Sequence, residues 1–306
     1  MKYFVPINKD GKSLGPWCFD GGVAYAVCHP APMQHANLHV EVGSGQELFD
    51  AMQSKLKAWF KYGEPCVLKD MILKPGTYYR RIARPMWGMK VVSPGICPGS
   101  KSYEYEMAIS KGQLVTLMSR LQQICQTVHP VVDNYNAYGH EIRNLLILAC
   151  TEVEAQWKNV LKANGVVKQD REYNTNDYVK LNNAMRLNEY DVSLTHYPWL
   201  KGFQPFKDWA ESNPTQSLGW YGAYNRVKHD RENNFHDATL VHAINAVTAC
   251  MIMLYAQVGK EDATTWRHEI AYFFELMQVP KWCPSEMYVL PSEEHAMDPV
   301  DYPFSV

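Results

Sequence analysis

The chain contains no Cys-x-x-Cys pair, and its eight cysteines are scattered along 306 residues. A zinc ribbon and a disulfide framework are therefore not predicted, and the thiols are expected to be reduced and mostly buried. Neither G-x-G-x-x-G nor G-x-x-x-x-G-K-[ST] occurs, which excludes a P-loop nucleotide hydrolase. His-Glu-x-x-His and paired Glu-x-x-His motifs are also missing, so no metal or other cofactor is predicted.

An excess of charge and a secretory signal are missing as well. The formal net charge is -2, so any contact with nucleic acid must come from a local patch. Met1–Pro6 lacks the apolar run of a signal peptide. The most apolar run, from Val241 to Val258, is interrupted by polar residues and is typical of a core helix. We therefore expect a cytoplasmic protein with no membrane partner.

Residues 1–100 are predicted to be irregular and rich in short strands, with one helix. Glycine and proline turns separate the strand-like runs, which are Tyr3–Val5, Val23–Val27, Leu38–Val42 and Lys90–Val92. Apolar residues at four-residue steps predict the helix over 46–60. The segment 92–100 is rich in proline and glycine, which indicates a boundary.

Residues 101–279 have the apolar periodicity of a helical bundle. The helices are predicted over 114–128, 138–163, 177–187, 237–258 and 264–277. Long connections between them favour a bundle with one large crossover. One connection, 196–214, is rich in proline and aromatic residues and is expected to be an ordered loop. Residues 280–306 form a tail with one short strand, so the predicted fold class is mainly α.

The stretch 220–231 concentrates the side chains that carry chemistry. If it is helical, Asn225 and His229 are i, i+4 neighbours and Arg226 lies three residues before His229, so all three share one surface. Beside them lie two further cations, Lys228 and Arg231. Arginine and lysine bind phosphate oxygens, and histidine exchanges a proton near neutral pH. This surface therefore predicts a site for a phosphodiester.

Two other chemistries are considered for neighbouring residues. The side chains of His229, His236, Asp237 and His242 are of types that bind metals, but polar residues that flank a helix start are the simpler interpretation. Cys28 precedes His29 directly, yet catalytic partners meet in space and not through adjacency in sequence. A cysteine nucleophile is therefore not predicted.

Two sequence patterns resemble the HEPN superfamily of small α-helical bundles. They are Glu141–Leu146 followed by Thr151–Glu154, and Tyr224-Asn225-x-x-Lys228-His229-x-Arg231 ahead of a long helix. The resemblance covers residues 105–260. Many members of that superfamily act in bacterial toxin, phage-defence and CRISPR-associated systems as metal-independent endoribonucleases. They form dimers that bring two R-N-x-x-x-H motifs together, so the resemblance implies an HEPN-like bundle, RNA as the partner and a homodimer.

The resemblance also assigns roles residue by residue. Asn225 and His229 fall on the amide and the histidine of the motif, whereas Tyr224 stands where the motif has its phosphate-binding arginine. The implied catalytic residues are His229, Asn225 and Arg226, and the implied substrate-binding residues are Lys228, Arg231, Tyr224 and His236. Arg231 and His236 form a looser Arg-x4-His, but on a continuous helix they point about 140° apart and need a break to converge.

Three interpretations of this stretch follow. The first is an endoribonuclease in which His229 is the general acid or base. The second is a non-catalytic HEPN-like module for dimerisation or for RNA or protein binding, with the aromatic-rich stretch over 196–220 as its contact surface. The third is a structural cluster in which the aromatic residues pack the bundle and the polar residues satisfy buried backbone groups.

Overall fold

The computed structural model describes residues 1–13, 15–27, 39–56, 65–87, 96–97, 104–169, 172–265, 267–290 and 297–304. Helix accounts for 48% and strand for 19% of the structure. A five-stranded antiparallel sheet and several two-stranded sheets stand beside the helices. The prediction of a mainly α, HEPN-like helical bundle is therefore wrong, and the fold is mixed α/β. Short strands leave little periodicity in the sequence, whereas long helices leave much, so the helices dominated the predicted fold class.

The secondary structure is distributed over the whole chain. The α-helices of the described residues are α1 (Leu48–Leu56), α2 (Glu104–Thr127), α3 (His140–Ala163), α4 (Thr175–Tyr178), α5 (Lys180–Met185), α6 (Gly219–His229), α7 (Arg231–Asn234), α8 (Leu240–Thr264) and α9 (His268–Phe273). The strands are β1 (Lys2–Asn8), β2 (Trp17–Asp20), β3 (Val23–Ala26), β4 (His39–Glu41), β5 (Pro65–Asp70), β6 (Thr77–Tyr79), β7 (Met86–Trp87), β8 (Asp191–Leu194), β9 (Phe274–Gln278), β10 (Tyr288–Val289) and β11 (Asp298–Val300).

The chain divides into two compact units. The first unit consists of Met1–Tyr78, Arg84–Ser93 and Trp282–Val300. The second unit consists of Tyr79–Ala83, Pro94–Lys281 and Asp301–Val306. Three features considered in the sequence lie outside the described residues, entirely or for the most part: the strand over 90–92, the Cys28-His29 pair and the boundary over 92–100.

The first unit is built on the five-stranded sheet, in the order β4-β3-β2-β1-β5, with antiparallel neighbours throughout. Phe4 lies opposite Trp17, and Ala24 lies opposite Val40. These four buried side chains form a core with residues of α1, namely Ala51, Met52 and Leu56. The amphipathic helix thus covers the sheet, because its apolar face and the apolar side chains of the strands exclude water from each other.

The second unit is organised around α8, which packs against α2, α3 and α6. Within the described part of the chain α8 alone is long and apolar enough to cross a membrane, but 83% of its most apolar window is buried inside the protein. Almost every α8 side chain from Ala243 to Val258 is buried, as expected of a core helix. Gly259 interrupts the helix with φ 84°, a conformation that a side chain would make costly.

An aromatic cluster fills the space between α3, α6 and the loop over 196–214. Trp157 of α3 is fully buried and stacks on Trp209, with ring centroids 4.9 Å apart. It also contacts Tyr178, Phe206, Trp220 and Tyr221. The indole N–H groups of two cluster members each donate to a backbone carbonyl of the loop, Trp209 to Pro214 and Trp220 to Pro205. The loop is therefore ordered by its own aromatic side chains, as its composition predicts.

One long helix predicted from the sequence does not form as predicted. Within the predicted range 264–277, helix α9 covers only His268–Phe273, and Phe274–Gln278 forms β9 instead. Strand β9 pairs antiparallel with β8, with Leu276 opposite Val192. Pairing with a distant strand satisfies the backbone of this segment and overrides its local periodicity. By contrast, the helix predicted over 138–163 is α3, and the helix predicted over 46–60 contains α1.

We expect Trp157→Ala to lower the free energy of unfolding by about 3–5 kcal/mol, because the substitution leaves a cavity that the surrounding rings fill only partly. Trp199→Ala is the matched control. The Trp199 side chain is 53% exposed and donates to the Pro130 carbonyl, so its loss should cost on the order of 1 kcal/mol. Urea denaturation followed by circular dichroism measures both values, and equal costs for the two variants would contradict the central role of Trp157.

Candidate functional site

The second part of the stretch 220–231 and the residues that follow it form an elbow, defined here as residues 224–237. Helix α6 ends at His229 because Asp230 leaves the helical conformation, with φ −142° and ψ 81°. The Asp230 carboxylate accepts from the backbone N–H of Asn233 at 3.3 Å and so caps the short helix α7. A 3-10 turn over Phe235–Asp237 then leads into α8. The elbow consequently presents its side chains from three short segments and not from one continuous helix.

The first turns of α6 are fixed in the core of the second unit. Trp220 and Tyr221 belong to the aromatic cluster, and the Tyr221 hydroxyl donates to the Glu154 carboxylate of α3. Burial, with the adjacent Glu154 carboxylate, raises the pKa of Tyr221 well above its ordinary value, so this hydroxyl stays protonated and acts as a donor. The last turn of α6 thus projects from a rigid base.

Four predicted site residues share the exposed part of this helix. Arg226, Lys228 and His229 are exposed, and Asn225 is half-buried. The Asn225 amide donates to the Tyr221 carbonyl at 3.2 Å, one turn earlier in the same helix. Its NH2 group is therefore partly used by the helix itself, while its side-chain carbonyl remains an acceptor.

Tyr224 occupies the position of the motif's arginine and lies in the core, with 1% of its surface exposed. Its hydroxyl accepts from the Lys228 ammonium at 2.9 Å, and the same ammonium lies 5.0 Å from the Tyr224 ring centroid. The hydrogen bond raises the pKa of Lys228. The charged ammonium of Lys228 is therefore hydrogen-bonded to Tyr224, the residue at the position where the motif has an arginine.

Asp237 joins the two ends of the elbow. Arg226 donates through Nε to one Asp237 oxygen, and Nε2 of His236 lies 3.5 Å from the other. The Asp237 carbonyl also lies 2.8 Å from Nδ1 of His242. From the sequence, Asp237 was considered only as a metal ligand, and its role as the partner of Arg226 was not predicted. The two residues are eleven positions apart across a break, a spacing that no helical period singles out.

The side chains of His229 and Arg231 are exposed and are not held by other side chains of the elbow. Within the part of the chain that the structure describes, neither side chain forms a hydrogen bond or an ion pair. Arg231 opens α7, so it lies beyond the break and not on the helical face that carries Asn225. The second break, after Asn234, separates Arg231 from His236 as their convergence would require. The described residues contain no group of three or more His, Cys, Asp and Glu that could hold a metal ion.

One motif escaped the analysis of the sequence. Gly11-Lys12-Ser13-Leu14-Gly15 has the Gly-x-Ser-x-Gly spacing of a hydrolase nucleophile. Ser13 forms a bridge with Ile7, and its hydroxyl accepts from the Gly15 N–H at 3.1 Å. The next regular element is β2, whereas a nucleophile elbow leads from a strand into a helix. Ser13 and Gly15 therefore lie between β1 and β2, and the serine lacks the strand-to-helix setting of that site.

Comparisons with protein-family models, with curated proteins and with solved structures return no match to this chain.

We expect Tyr224→Phe to lower the pKa of Lys228 toward its ordinary value, because the substitution removes the hydroxyl that accepts from the ammonium. A lysine whose pKa is raised by folding adds stability that is present below the unfolded pKa of about 10.4 and is lost as pH rises through the folded pKa. In Tyr224→Phe the free energy of unfolding should therefore fall less as pH rises through the alkaline range. Carbon-13 NMR titration of the lysine side chains measures the shift, and Tyr105→Phe, on the 79%-exposed Tyr105, is the control.

Proposed function

We propose that this protein binds RNA at the elbow and cleaves it without a metal ion. The observation that carries the proposal is the exposed His229 imidazole, which has no partner among the described residues and lies between Lys228 and Arg231 in sequence. A histidine in this setting is accessible both to water and to a ligand, and a neutral imidazole has one nitrogen that can accept a proton. The motif resemblance supports the same activity, although the fold class that it implied is wrong.

In the proposed reaction His229 is the general base. Its neutral imidazole takes the proton from a ribose 2′-hydroxyl, whose oxygen forms a new bond to the adjacent phosphorus. The bond from phosphorus to the 5′-oxygen breaks, and the leaving oxygen takes a proton from water. The products are a 2′,3′-cyclic phosphate and a 5′-hydroxyl, and a positioned base of this kind typically contributes about 10² to 10⁴ in rate.

The cations of the elbow supply charge for the phosphate. The Lys228 ammonium is held by the Tyr224 hydroxyl and stays charged, and Arg231 is exposed. The elbow also contains three carboxylates: Asp230 caps α7, Asp237 pairs with Arg226, and Glu232 of α7 is exposed. Arg226 retains its guanidinium nitrogens beyond Nε for a second acceptor, because a guanidinium offers five donors.

A second candidate function is RNA binding without cleavage. The observation that favours it is the burial of Tyr224, since no guanidinium occupies the position of the motif's arginine. Under this alternative the same cations bind the phosphates and His229 takes no proton. In both proposals the protein forms a homodimer that brings two His229 side chains to one RNA strand. Sedimentation velocity measures whether this dimer forms.

His229→Ala should lower the rate of RNA cleavage by about 10² to 10⁴ while leaving the melting temperature unchanged, because the exposed imidazole supports no packing. His268→Ala is the matched control, since His268 is also exposed and opens α9. Cleavage of a labelled single-stranded RNA in EDTA measures both rates. RNA binding without any cleaved product in the wild-type protein would favour the second candidate, and cleavage that survives in His229→Ala would exclude His229 as the base.

Arg231→Gln should weaken binding of single-stranded RNA of any sequence and lower the salt dependence of the affinity by about one counterion, because the substitution removes one phosphate contact. Arg267→Gln provides the control, because Arg267 pairs with Glu269 at 3.6 Å, outside the elbow. Fluorescence anisotropy at a series of salt concentrations gives the two slopes. Equal slopes for Arg231→Gln and the wild-type protein would remove Arg231 from the binding surface.

A further inference from the structure

A cleft of about 480 Å³ opens between the C-terminal half of α2 and the beginning of α3. Its volume lies within the range of small-ligand pockets, roughly 300–1,000 Å³. Ile124 of α2 and Ile142 of α3 are buried and form an apolar floor, and Val128 is half-buried beside them. All of these residues belong to the second unit, so the cleft lies within one compact body.

Aromatic and charged side chains surround this floor. Tyr138 is 55% exposed at the cleft, so much of its ring is accessible to a planar ligand. Arg120 also lines the cleft, and it forms no hydrogen bond or ion pair with any residue that the structure describes. Planar rings bind on aromatic faces, and guanidinium groups bind phosphate oxygens.

The Glu141 carboxylate restricts which ligand fits. It lines the same cleft, so a bare inorganic anion would meet repulsion there. A nucleobase offers N–H donors that a carboxylate accepts, and its own phosphate can contact Arg120 outside the apolar floor. A nucleotide therefore satisfies the apolar, the anionic and the cationic parts of the cleft together.

The cleft adjoins the elbow through Phe235. The Phe235 ring lies 5.9 Å from the Tyr138 ring and 5.0 Å from the His140 ring, measured between centroids, and His140 also lines the cleft. Phe235 is itself an elbow residue and directly precedes His236. Two backbone contacts fix this junction: the Leu240 N–H donates to the Ala137 carbonyl at 2.8 Å, and Tyr138 forms a bridge with Thr239.

We propose that this cleft holds one unpaired nucleobase of the RNA strand whose backbone lies on the elbow. The inference rests on the proposed function, because the same strand occupies both places. Tyr138 stacks on the base, Glu141 accepts from its N–H groups, and Arg120 contacts a neighbouring phosphate. The cleft thereby selects single-stranded RNA, since a base within a duplex cannot leave its stack without a cost of a few kcal/mol.

The test compares Tyr138→Ala with the control Tyr105→Ala on two probes: a labelled single-stranded RNA and an abasic strand of the same length. The His229→Ala background prevents cleavage during the measurement. Stacking contributes about 1–3 kcal/mol per base, so Tyr138→Ala should weaken binding of the normal RNA by about 5- to 150-fold. It should leave binding of the abasic strand unchanged. Tyr138→Phe keeps the ring and should restore the affinity, which separates stacking from a folding defect.

The outcomes separate the cleft from the proposed function. An equal loss of affinity for the normal and the abasic strands would overturn the base-binding role. An effect on phosphate contacts or on folding would then be sufficient to explain the loss. Unchanged RNA affinity in Tyr138→Ala, together with cleavage that depends on His229, would overturn the proposal that the cleft binds a base. It would leave the proposed function intact. Base-dependent loss in a protein that never cleaves RNA would support the cleft and overturn catalysis. A wild-type protein that binds neither strand would overturn both.

Discussion

The packing of Trp157 against its aromatic neighbours is the interaction on which the candidate site depends. Trp157 lies on α3 and contacts rings from α6 and from the loop over 196–214. These contacts, with the hydrogen bond between Tyr221 and Glu154, fix the first half of α6. A buried cluster of this kind tolerates little displacement, because protein interiors are densely packed. The direction in which α6 presents its last turn is therefore set in the core.

The elbow combines this rigid base with two breaks in helical geometry. Asp230 ends α6 and caps α7, and a 3-10 turn separates α7 from α8. The breaks bring Asp237 back to Arg226, so one carboxylate fixes a cation at one end of the elbow and lies near an imidazole at the other. His229 stays exposed between these fixed groups. The proposed catalysis by His229 requires such a pre-organised surface with an accessible proton acceptor.

Prediction from the sequence succeeded where the signal was local and long. Helix α3 repeats its apolar residues through more than five turns, and α1 shows the same period over a shorter length. Prediction failed where distant segments pair. Phe274–Gln278 has the residues of a helix end but forms a strand against the distant β8. In the five-stranded sheet β1 pairs with the distant β5, whereas β1 to β4 follow one another along the chain, and the strands predicted over 3–5, 23–27 and 38–42 overlap β1, β3 and β4. The predicted fold class was wrong because the extent of strand pairing cannot be seen in one segment: pairing is a property of two segments.

The sequence by itself determined which chemical groups the elbow contains, that Asn225, Arg226 and His229 lie on one helix, and that Tyr224 replaces the arginine of the resembled motif. Those features depend only on residue identity and on the period of the helix. The tertiary structure alone decided that Tyr224 is buried and holds Lys228, that Asp237 pairs with Arg226, and that Phe235 joins the elbow to the cleft beside Tyr138. Each of these contacts depends on helix ends and on packing against other segments, which bring together residues that no short sequence period relates.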